Sequence, residues 1–275
     1  MSRITSFAIH GFLICFVVFA SLFGTEAAAK PAVYGLTDKG VAREQNEDSM
    51  ILLEDAGVFV VADGMGGHAA GEVASAMAVE TMQNVTKLPV WGRFDAIWKN
   101  ARTMMAFAGY EEANRQIMRA SLSNASQRGM GTTMVSAVVY KDSVDVINLG
   151  DSRAYRIRNG AIEQISHDHS LVQELIDSGK LKTPEEIEAF PYKNIITQAL
   201  GTQPKIRPDI FSNPIVPGDI YLLCSDGLFN ELTDAEILKI IQDSGGNLQK
   251  ATEILVQQAN QHGGRDNITV VLILL

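Results

Sequence analysis

Four short apolar runs follow one another between Thr132 and Ser166, and this series constrains the fold more than any other feature of the chain. The predicted strands cover residues 133–139, 144–149, 154–157 and 161–165. Lys141-Asp142 and Asn159-Gly160 connect two of the pairs, and an Asn-Gly pair is a strong signal of a tight hairpin turn. A parallel pair would need a crossover of a dozen or more residues. The series therefore predicts an antiparallel meander.

Further strands and helices are predicted on both sides of this meander. The strands are expected over residues 32–36, 50–53, 58–62, 195–200, 206–210, 220–224 and 268–274. Helices are expected over residues 72–84, 94–124, 234–243 and 248–261, and residues 171–189 form a charged helical segment split by Gly179 and Pro184. The expected fold class is α+β, with two antiparallel β-sheets packed as a sandwich and helix pairs flanking both outer faces.

Length and charge limit the domain count and the partners. With 275 residues, of which 46% are hydrophobic, the chain can bury a large core. No repeat or low-complexity linker divides it, so a single domain over residues 30–275 is expected. The protein is also expected to be a monomer. A formal net charge of −9 argues against a nucleic-acid partner, because no basic stripe is available to neutralise phosphates.

The first 29 residues have the layout of a secretory signal peptide. Arg3 is followed by no charge until Glu26, residues 12–23 are apolar, and Ala27-Ala28-Ala29 offers a small-residue cleavage site. An uncleaved anchor is the alternative, although a membrane-spanning helix usually needs about 20 apolar residues. The sequence predicts export to the periplasm or the medium, with membrane attachment only if this segment is retained.

Acidic residues stand where the predicted strands begin or end. Asp63 ends an apolar run and leads into the glycine-rich stretch Gly64-Met65-Gly66-Gly67, which allows close backbone approach. The complete set is Glu47, Asp48, Asp63, Asp151, Asp226 and Asp266. Two carboxylates about 4 Å apart repel by about 4 kcal/mol at an effective dielectric constant of 20. If these acids meet at one rim of the sandwich, a purely structural cluster would be unfavourable.

Two divalent cations would offset that repulsion. Glu47, Asp63, Asp226 and Asp266 supply four negative charges, and two such ions supply four positive ones. A ligand set of oxygen atoms without His or Cys selects hard ions, Mn²⁺ or Mg²⁺, over Zn²⁺. A turn or a helix cap would explain any one of these acids taken singly, but it explains the ordered set poorly.

The predicted acids stand within six sequence blocks that follow one another along the chain. The blocks are Arg43-x-x-Asn46-Glu47-Asp48, Val61-Ala62-Asp63-Gly64-Met65-Gly66-Gly67, Gly129-x-Gly131-Thr132-Thr133, Gly150-Asp151-Ser152-Arg153, Leu223-Cys224-Ser225-Asp226-Gly227-Leu228 and Gly264-Arg265-Asp266-Asn267-Ile268-Thr269-Val270. In order and spacing they resemble the metal-dependent protein phosphatase (PPM) family, the type-2C serine/threonine phosphatases. The similarity runs from residue 33 to 274 and is strongest to the bacterial branch, because Thr197-Gln198-Ala199-Leu200-Gly201 also fits.

This resemblance implies a two-metal centre at one end of the sandwich. Asp63 would bridge both ions, Glu47 and the Gly64 carbonyl would bind one of them, and Asp226 and Asp266 would bind the other. By the same resemblance, three further residues have supporting roles. Asp48 would support the metal ligands, Asp151 together with Asp226 would form a weaker third metal site, and Arg43 would bind the substrate phosphate through its planar, bidentate guanidinium.

The implied activity is hydrolysis of phosphoserine and phosphothreonine in phosphorylated protein substrates. A hydroxide that bridges two cations would attack phosphorus in line, because bound cations lower the pKa of water toward neutrality. Met65 stands where animal relatives carry a histidine proposed as the proton donor, and a thioether cannot donate a proton. A metal-bound water is the expected donor, and His68 is not assigned this role. The alternatives are a catalytically silent phosphoprotein-binding module and a phosphatase of small phosphometabolites.

Two other features have structural explanations that compete with functional ones. His167 and His169 could form a metal pair, but hydrogen bonding within a loop is the favoured interpretation. Gly129-Met130-Gly131 could cradle a phosphate, and a close approach to a neighbouring strand explains it equally well.

Overall fold

The computed structural model describes residues 30–66, 70–93, 95 and 100–275. The predicted signal peptide and His68 lie outside these residues, as do five positions of the segment 94–99. Within the described part of the chain, no helix combines the length and the apolar character that crossing a membrane requires.

The described residues alternate between β-hairpins and helix pairs. The strands are β1 (Ala32–Asp38), β2 (Asp48–Leu53), β3 (Val58–Met65), β4 (Gly131–Thr132), β5 (Met134–Tyr140), β6 (Ser143–Leu149), β7 (Arg153–Arg158), β8 (Ala161–Gln164), β9 (Asp209–Pro214), β10 (Ile220–Cys224) and β11 (Ile268–Leu274). The helices are α1 (Ala70–Thr86), α2 (Ala101–Ser123), α3 (Leu171–Asp177), α4 (Pro184–Ala189), α5 (Asp226–Phe229), α6 (Asp234–Asp243) and α7 (Leu248–His262). The four strands predicted for the meander are β5 to β8, but they pair as two separate hairpins, β5 with β6 and β7 with β8, so the prediction of one continuous antiparallel meander is wrong.

The strands form two sheets in which every neighbouring pair is antiparallel. The first sheet has the order β1-β11-β10-β7-β8, and the second has the order β2-β3-β5-β6-β9, with β4 paired to β3. Strands β6 and β7 therefore belong to different sheets, and the chain passes from one sheet to the other at the turn around Gly150.

Strand β3 shows why the predicted strands are almost continuously apolar. All five residues from Val58 to Ala62 are fully buried. Since side chains alternate along a strand, Val58, Val60 and Ala62 pack with the helices, whereas Phe59 and Val61 face the other sheet. Both faces of the strand are covered, so a polar residue has no favourable position on it.

Three apolar layers hold the sandwich together. Phe59 and Tyr221 belong to the layer between the sheets. Met82 of α1 and Tyr110 of α2 pack on the outer face of the second sheet. Leu255 of α7, with residues of α6, packs on the outer face of the first. The predicted two-sheet sandwich with a helix pair on each outer face is confirmed.

Two predicted strands are wrong or displaced. Residues 195–200 do not form a strand, because they make only two isolated bridges, one between Ser170 and Ile196 and one between Thr132 and Leu200. The strand predicted at 206–210 is β9, which begins three residues later. Pro208 immediately precedes it, and proline has no N–H to donate to a ladder.

Two other boundaries differ from the predictions. Strand β3 continues through Asp63 to Met65, because its last residues pair with β4. The long second helix is described from Ala101 to Ser123; Asp95 and Asn100 before it are turns, and residues 94 and 96–99 of the predicted helix lie outside the described part of the chain. Gly179 and Pro184 do separate two short helices, α3 and α4, as predicted.

Candidate metal centre

The strand registers bring the predicted acids to one rim of the sandwich. Asp48 of β2 lies opposite Asp63 of β3. In the other sheet, the end of β10 pairs with the start of β11, which brings Asp226 and Asp266 to the same end of neighbouring strands. Asp151 follows β6 at the edge where β5 begins. Acids separated by more than two hundred residues in the sequence, such as Asp48 and Asp266, therefore lie at one end of the fold.

Asp48 joins the two sheets at this rim. Its Oδ2 atom accepts hydrogen bonds from the Ser225 hydroxyl and the Thr269 hydroxyl, each at 2.6 Å. Both donors belong to segments of the first sheet, whereas Asp48 belongs to the second. Its other oxygen, Oδ1, is buried and has no hydrogen-bond partner. A buried carboxylate oxygen without a partner is unfavourable, so this atom indicates a group that the protein itself does not supply.

The backbone of Asp63 is fixed on both sides. Its N–H donates to the Thr133 hydroxyl at 3.0 Å, and its carbonyl accepts from the Thr133 N–H at 2.9 Å and from the Thr132 hydroxyl at 2.8 Å. These bonds fix the backbone at the end of β3. The position of the Asp63 carboxylate therefore follows from the backbone to which it is attached.

Burial and mutual repulsion raise the pKa values of the clustered acids. Burial is the largest cause for Asp63, whose pKa lies well above its usual value, and Asp48, Asp226, Asp151 and Asp266 add to the effect. Burial likewise raises the pKa of Asp48 to about 7 and that of Asp226 to about 6. Because each carboxyl is influenced by the others, the acids share one electrostatic environment.

Asp266 and Asp226 carry different partners. Asp266 Oδ2 accepts a hydrogen bond from the Arg43 guanidinium at 2.6 Å. Asp226 Oδ2 accepts from the Asn230 amide at 3.1 Å, while its Oδ1 is buried and unpaired. Arg43 is therefore placed beside a predicted metal ligand, and its side chain is half-exposed, so a ligand from solvent can reach it.

Two glycines create the space in which Glu47 sits. A Cβ atom on Gly71, in the first turn of α1, would lie 2.7 Å from Glu47 Oε2. A Cβ on Gly64 would lie 2.2 Å from the Gly71 carbonyl oxygen. The Gly64 N–H donates to the Glu47 carbonyl at 3.1 Å, which fixes the two segments side by side. The predicted close approach at Gly64 is thus observed, and it requires small size rather than an unusual backbone conformation.

Asp151 lies at the edge of the cluster. Burial raises its pKa to about 7, with Asp226 and Asp168 as the next causes. Gly150 before it has a φ of +113°, and a Cβ there would lie 2.6 Å from the Thr133 side chain. A glycine is needed at this turn for both reasons.

The donor set fits hard divalent cations. The acids offer only oxygen atoms, two of the buried carboxylate oxygens have no partner, and the raised pKa values show that the protein does not balance the charge itself. Among the described residues, no three His, Cys, Asp or Glu side chains already form a closed set of metal ligands.

The histidines have hydrogen-bond partners of their own. His167 Nε2 pairs with Asp177 at 2.7 Å, and His169 Nε2 pairs with Asp209 at 3.1 Å. The favoured interpretation, hydrogen bonding in a loop, agrees with these contacts. Gly131 in turn belongs to β4 and lies against the Leu200 carbonyl, as expected for a close approach of two segments.

Sequence reasoning missed the residues that support the acids. Ser225 and Thr269 hold Asp48, Thr133 holds Asp63, and Asn267 accepts the Glu47 N–H at 2.8 Å. All four belong to the sequence blocks quoted above. Ser225 and Asn267 stand next to a predicted metal ligand and Thr269 stands three residues from one, whereas Thr133 has no predicted ligand near it in the sequence. That adjacency was the available signal, but it does not reveal which polar neighbour makes which bond.

Comparison with known proteins agrees with this fold. The family model described as Protein phosphatase 2C matches residues 42–259. The protein phosphatase PhpP of Streptococcus pneumoniae is 41% identical over 241 residues, which cover 86% of this chain and 95% of PhpP. The sandwich and its acidic rim define the class of metal-dependent phosphatases.

Solved structures support the same assignment. A serine/threonine phosphatase of S. agalactiae has a TM-score of 0.80 and 35% identity, covering 89% of this chain and 99% of that one. The catalytic domain of the phosphatase PstP, solved in complex with two manganese ions, has a TM-score of 0.76 and 31% identity, covering 89% of this chain and 97% of that one. This chain belongs to the protein phosphatase 2C family, so the predicted resemblance is confirmed.

Proposed function

We infer that this protein is a metal-dependent serine/threonine phosphatase that hydrolyses phosphoserine and phosphothreonine in protein substrates. The observation that carries this inference is the rim of acids from both sheets, in a chain that matches the protein phosphatase 2C family over most of its length. Residues 30–275 would form one phosphatase domain.

We propose Mn²⁺ or Mg²⁺ as the cofactor. Asp63, Glu47 and the Gly64 carbonyl would hold one ion, and Asp63, Asp226 and Asp266 the second. Asp48 would support them through its contacts with Ser225 and Thr269, and Asp151 with Asp226 would form a third, weaker site. When bound, such ions lower the pKa of coordinated water and neutralise charge on a phosphoryl group.

The protein side chains would bind and orient the substrate. Arg43 is a fixed positive charge with a planar fork of donors, which matches two oxygens of a phosphate. It is half-exposed beside Asp266, at the rim where the acids meet. Met65, at the end of β3, can neither give nor take a proton, so the side chain at this position does not protonate the leaving alkoxide.

Hydrolysis of p-nitrophenyl phosphate tests the enzymatic proposal. We expect Mn²⁺-dependent turnover by the wild type, and a loss of at least about a hundredfold for Asp226→Asn, because one metal ligand loses its charge. A wild type that binds phosphopeptides but never turns over would instead identify a phosphoprotein-binding module. Preference for phosphosugars over phosphoserine and phosphothreonine peptides would identify a phosphatase of small phosphometabolites.

We also propose that the protein is exported. The support is the sequence of residues 1–29 alone, and the comparisons give export no support. Cell fractionation with N-terminal sequencing of the mature protein tests this. A mature chain that begins near Lys30 outside the cytoplasm would support cleavage, recovery with the membrane would support an anchor, and a full-length cytoplasmic chain would refute export. A monomer is proposed as well, and sedimentation tests it.

A further inference from the structure

The side chain of Asn267 is a buried hub of hydrogen bonds. Asn267 is 4% exposed. Its Nδ2 group donates to the Lys39 carbonyl at 2.8 Å and to the Gln45 carbonyl at 2.9 Å, and its Oδ1 accepts the Glu47 N–H at 2.8 Å. Both amide hydrogens and the carbonyl are therefore used, and all three partners belong to the backbone of one segment.

That segment, residues 39–47, has no secondary structure of its own. It joins β1 to β2, and its backbone lacks the ladder of hydrogen bonds that fixes a strand. It is attached to the chain around Asn267 instead, since the Val41 and Ala42 N–H groups both donate to the Gly264 carbonyl, at 2.8 and 3.0 Å. A Cβ on Gly40 would lie 2.1 Å from the Asp266 carbonyl oxygen. The two loops are thus in direct backbone contact.

The segment carries two residues of the proposed site that act on different partners. Arg43 is the proposed phosphate-binding residue, and Glu47 is a proposed metal ligand. The metal ligand Asp266 immediately precedes Asn267 and is paired with Arg43. Three groups of the site are therefore set by how segment 39–47 sits on the residue that follows Asp266.

We propose that Asn267 is a positioning residue that sets the geometry of Arg43 and Glu47 relative to Asp266. This inference rests on the proposed phosphatase function. Asn267 itself touches neither substrate nor metal, because both ends of its carboxamide are occupied by backbone groups. An aspartate of the same size would present oxygen to two carbonyl oxygens, and alanine would remove the side-chain partner of three backbone groups, the Lys39 and Gln45 carbonyls and the Glu47 N–H.

Asn114 provides a matched control. It is 2% exposed, its Nδ2 donates to the Gln203 carbonyl at 2.9 Å, and its Oδ1 accepts the Gly201 N–H at 2.7 Å. It therefore fixes the backbone of another loop with the same chemistry, and it does not contact segment 39–47. Replacing it measures the general cost of losing a buried carboxamide.

The test compares Asn267→Ala with Asn114→Ala in the full chain. We expect Asn267→Ala to weaken Mn²⁺ binding, measured by titration calorimetry without substrate, by about tenfold or more, as for other residues that orient metal ligands. The KM for p-nitrophenyl phosphate should rise as well. Hydrogen exchange should accelerate in residues 39–47. Asn114→Ala should lower the melting temperature while leaving Mn²⁺ affinity and KM unchanged, with faster exchange near residues 201–203.

The outcomes separate this inference from the function on which it rests. A wild type without Mn²⁺-dependent turnover refutes the proposed function. An active wild type, with Asn267→Ala matching it in Mn²⁺ affinity, KM and exchange of residues 39–47, refutes the positioning role. If Asn267→Ala does not fold, Asn267→Asp keeps the size and the acceptor for the Glu47 N–H, and the same three measurements decide. If Asn114→Ala loses as much Mn²⁺ affinity as Asn267→Ala and raises KM equally, the proposal is also overturned, because both changes would then follow from reduced stability alone.

Discussion

At the rim, hydrogen bonding and burial act in opposite directions on the charge of Asp48. Asp48 is held by two hydroxyl groups on one oxygen and left unpaired on the other. The hydrogen bonds favour its charged form, whereas burial and the neighbouring acids oppose it and raise its pKa to about 7. The unpaired buried oxygen beside the other acids therefore makes Asp48 a suitable neighbour for a bound cation.

Arg43→Lys tests phosphate recognition at the residue scale. Lysine keeps the charge but loses the planar fork, so we expect kcat/KM for p-nitrophenyl phosphate to fall about tenfold or more, mainly through KM. Arg115→Lys, an exposed residue of α2 paired with Glu112, is the control and should behave as wild type. An unchanged KM in the Arg43 variant would remove it from the phosphate site.

Tyr110→Phe tests a contact of the core away from the acids. The Tyr110 hydroxyl is buried and lies 2.7 Å from the Ile147 carbonyl and 3.0 Å from the Ser136 hydroxyl, so its removal leaves polar groups of β5 and β6 unpaired. We expect the free energy of unfolding to fall by about 1–2 kcal/mol, measured by urea denaturation. Tyr192→Phe, at an exposed position, should change it by less than about 0.5 kcal/mol. Equal effects would contradict this account.

At the scale of elements, the first turn of α1 is packed onto the end of β3. Gly64 and Gly71 allow this contact, and Glu47 fills the space beside them. The first turn of α1 thus supplies no proposed metal ligand, but the lack of a side chain at Gly71 leaves room for Glu47.

Gly71→Ala should therefore disturb the metal centre without disturbing the helix. Alanine favours helix over glycine by about 1 kcal/mol, but its Cβ would lie 2.7 Å from Glu47 Oε2. We expect Mn²⁺ affinity, measured by calorimetry, to fall about tenfold. Gly109→Ala in α2 adds the same methyl group against the flexible end of Met82 and should leave Mn²⁺ affinity unaltered. Wild-type affinity in Gly71→Ala would show that Glu47 can shift at no cost.

At the scale of the whole molecule, the raised pKa values of the acids make stability depend on pH and on metal. An acid whose pKa is higher in the folded state than in the unfolded state stabilises the fold below its unfolded pKa, near 3.8, and loses that contribution as the pH rises through its folded pKa. For Asp48, Asp151 and Asp226 the loss begins near pH 3.8 and is complete at about pH 6 to 7.

The metal-free protein should therefore melt at a lower temperature at pH 8 than at pH 5.5. A difference of about 4–8 °C is expected, which corresponds to roughly 2 kcal/mol for a domain of this size. Saturating Mn²⁺ should raise the melting temperature most at pH 8, because it binds the ionised acids of the folded state. In Asp226→Asn the pH dependence should be smaller. A melting temperature that is constant or rises between pH 5.5 and 8 in EDTA would contradict the raised pKa values of these acids in the folded state.

Prediction from sequence succeeded where the local pattern is itself the cause of the structure. The run Val58–Ala62 is a strand because both faces are buried, and α6 begins where Thr233, a residue type that favours helix N-caps, accepts the Glu236 N–H. It failed at residues 195–200, since an apolar run becomes a strand only where a neighbour offers a continuous ladder. The sequence contains the run but not the neighbour.

The sequence by itself determined the two-sheet α+β class, the acids at the strand ends and the family, because these follow from periodicity, from residue type and from ordered motifs. Only the tertiary structure decided which polar groups meet. Asp48 reaches Ser225 and Thr269, and Asn267 reaches the backbone of residues 39–47, across separations of more than 170 residues. Such contacts depend on strand order and register, which arise from packing the whole chain rather than from any local stretch of it.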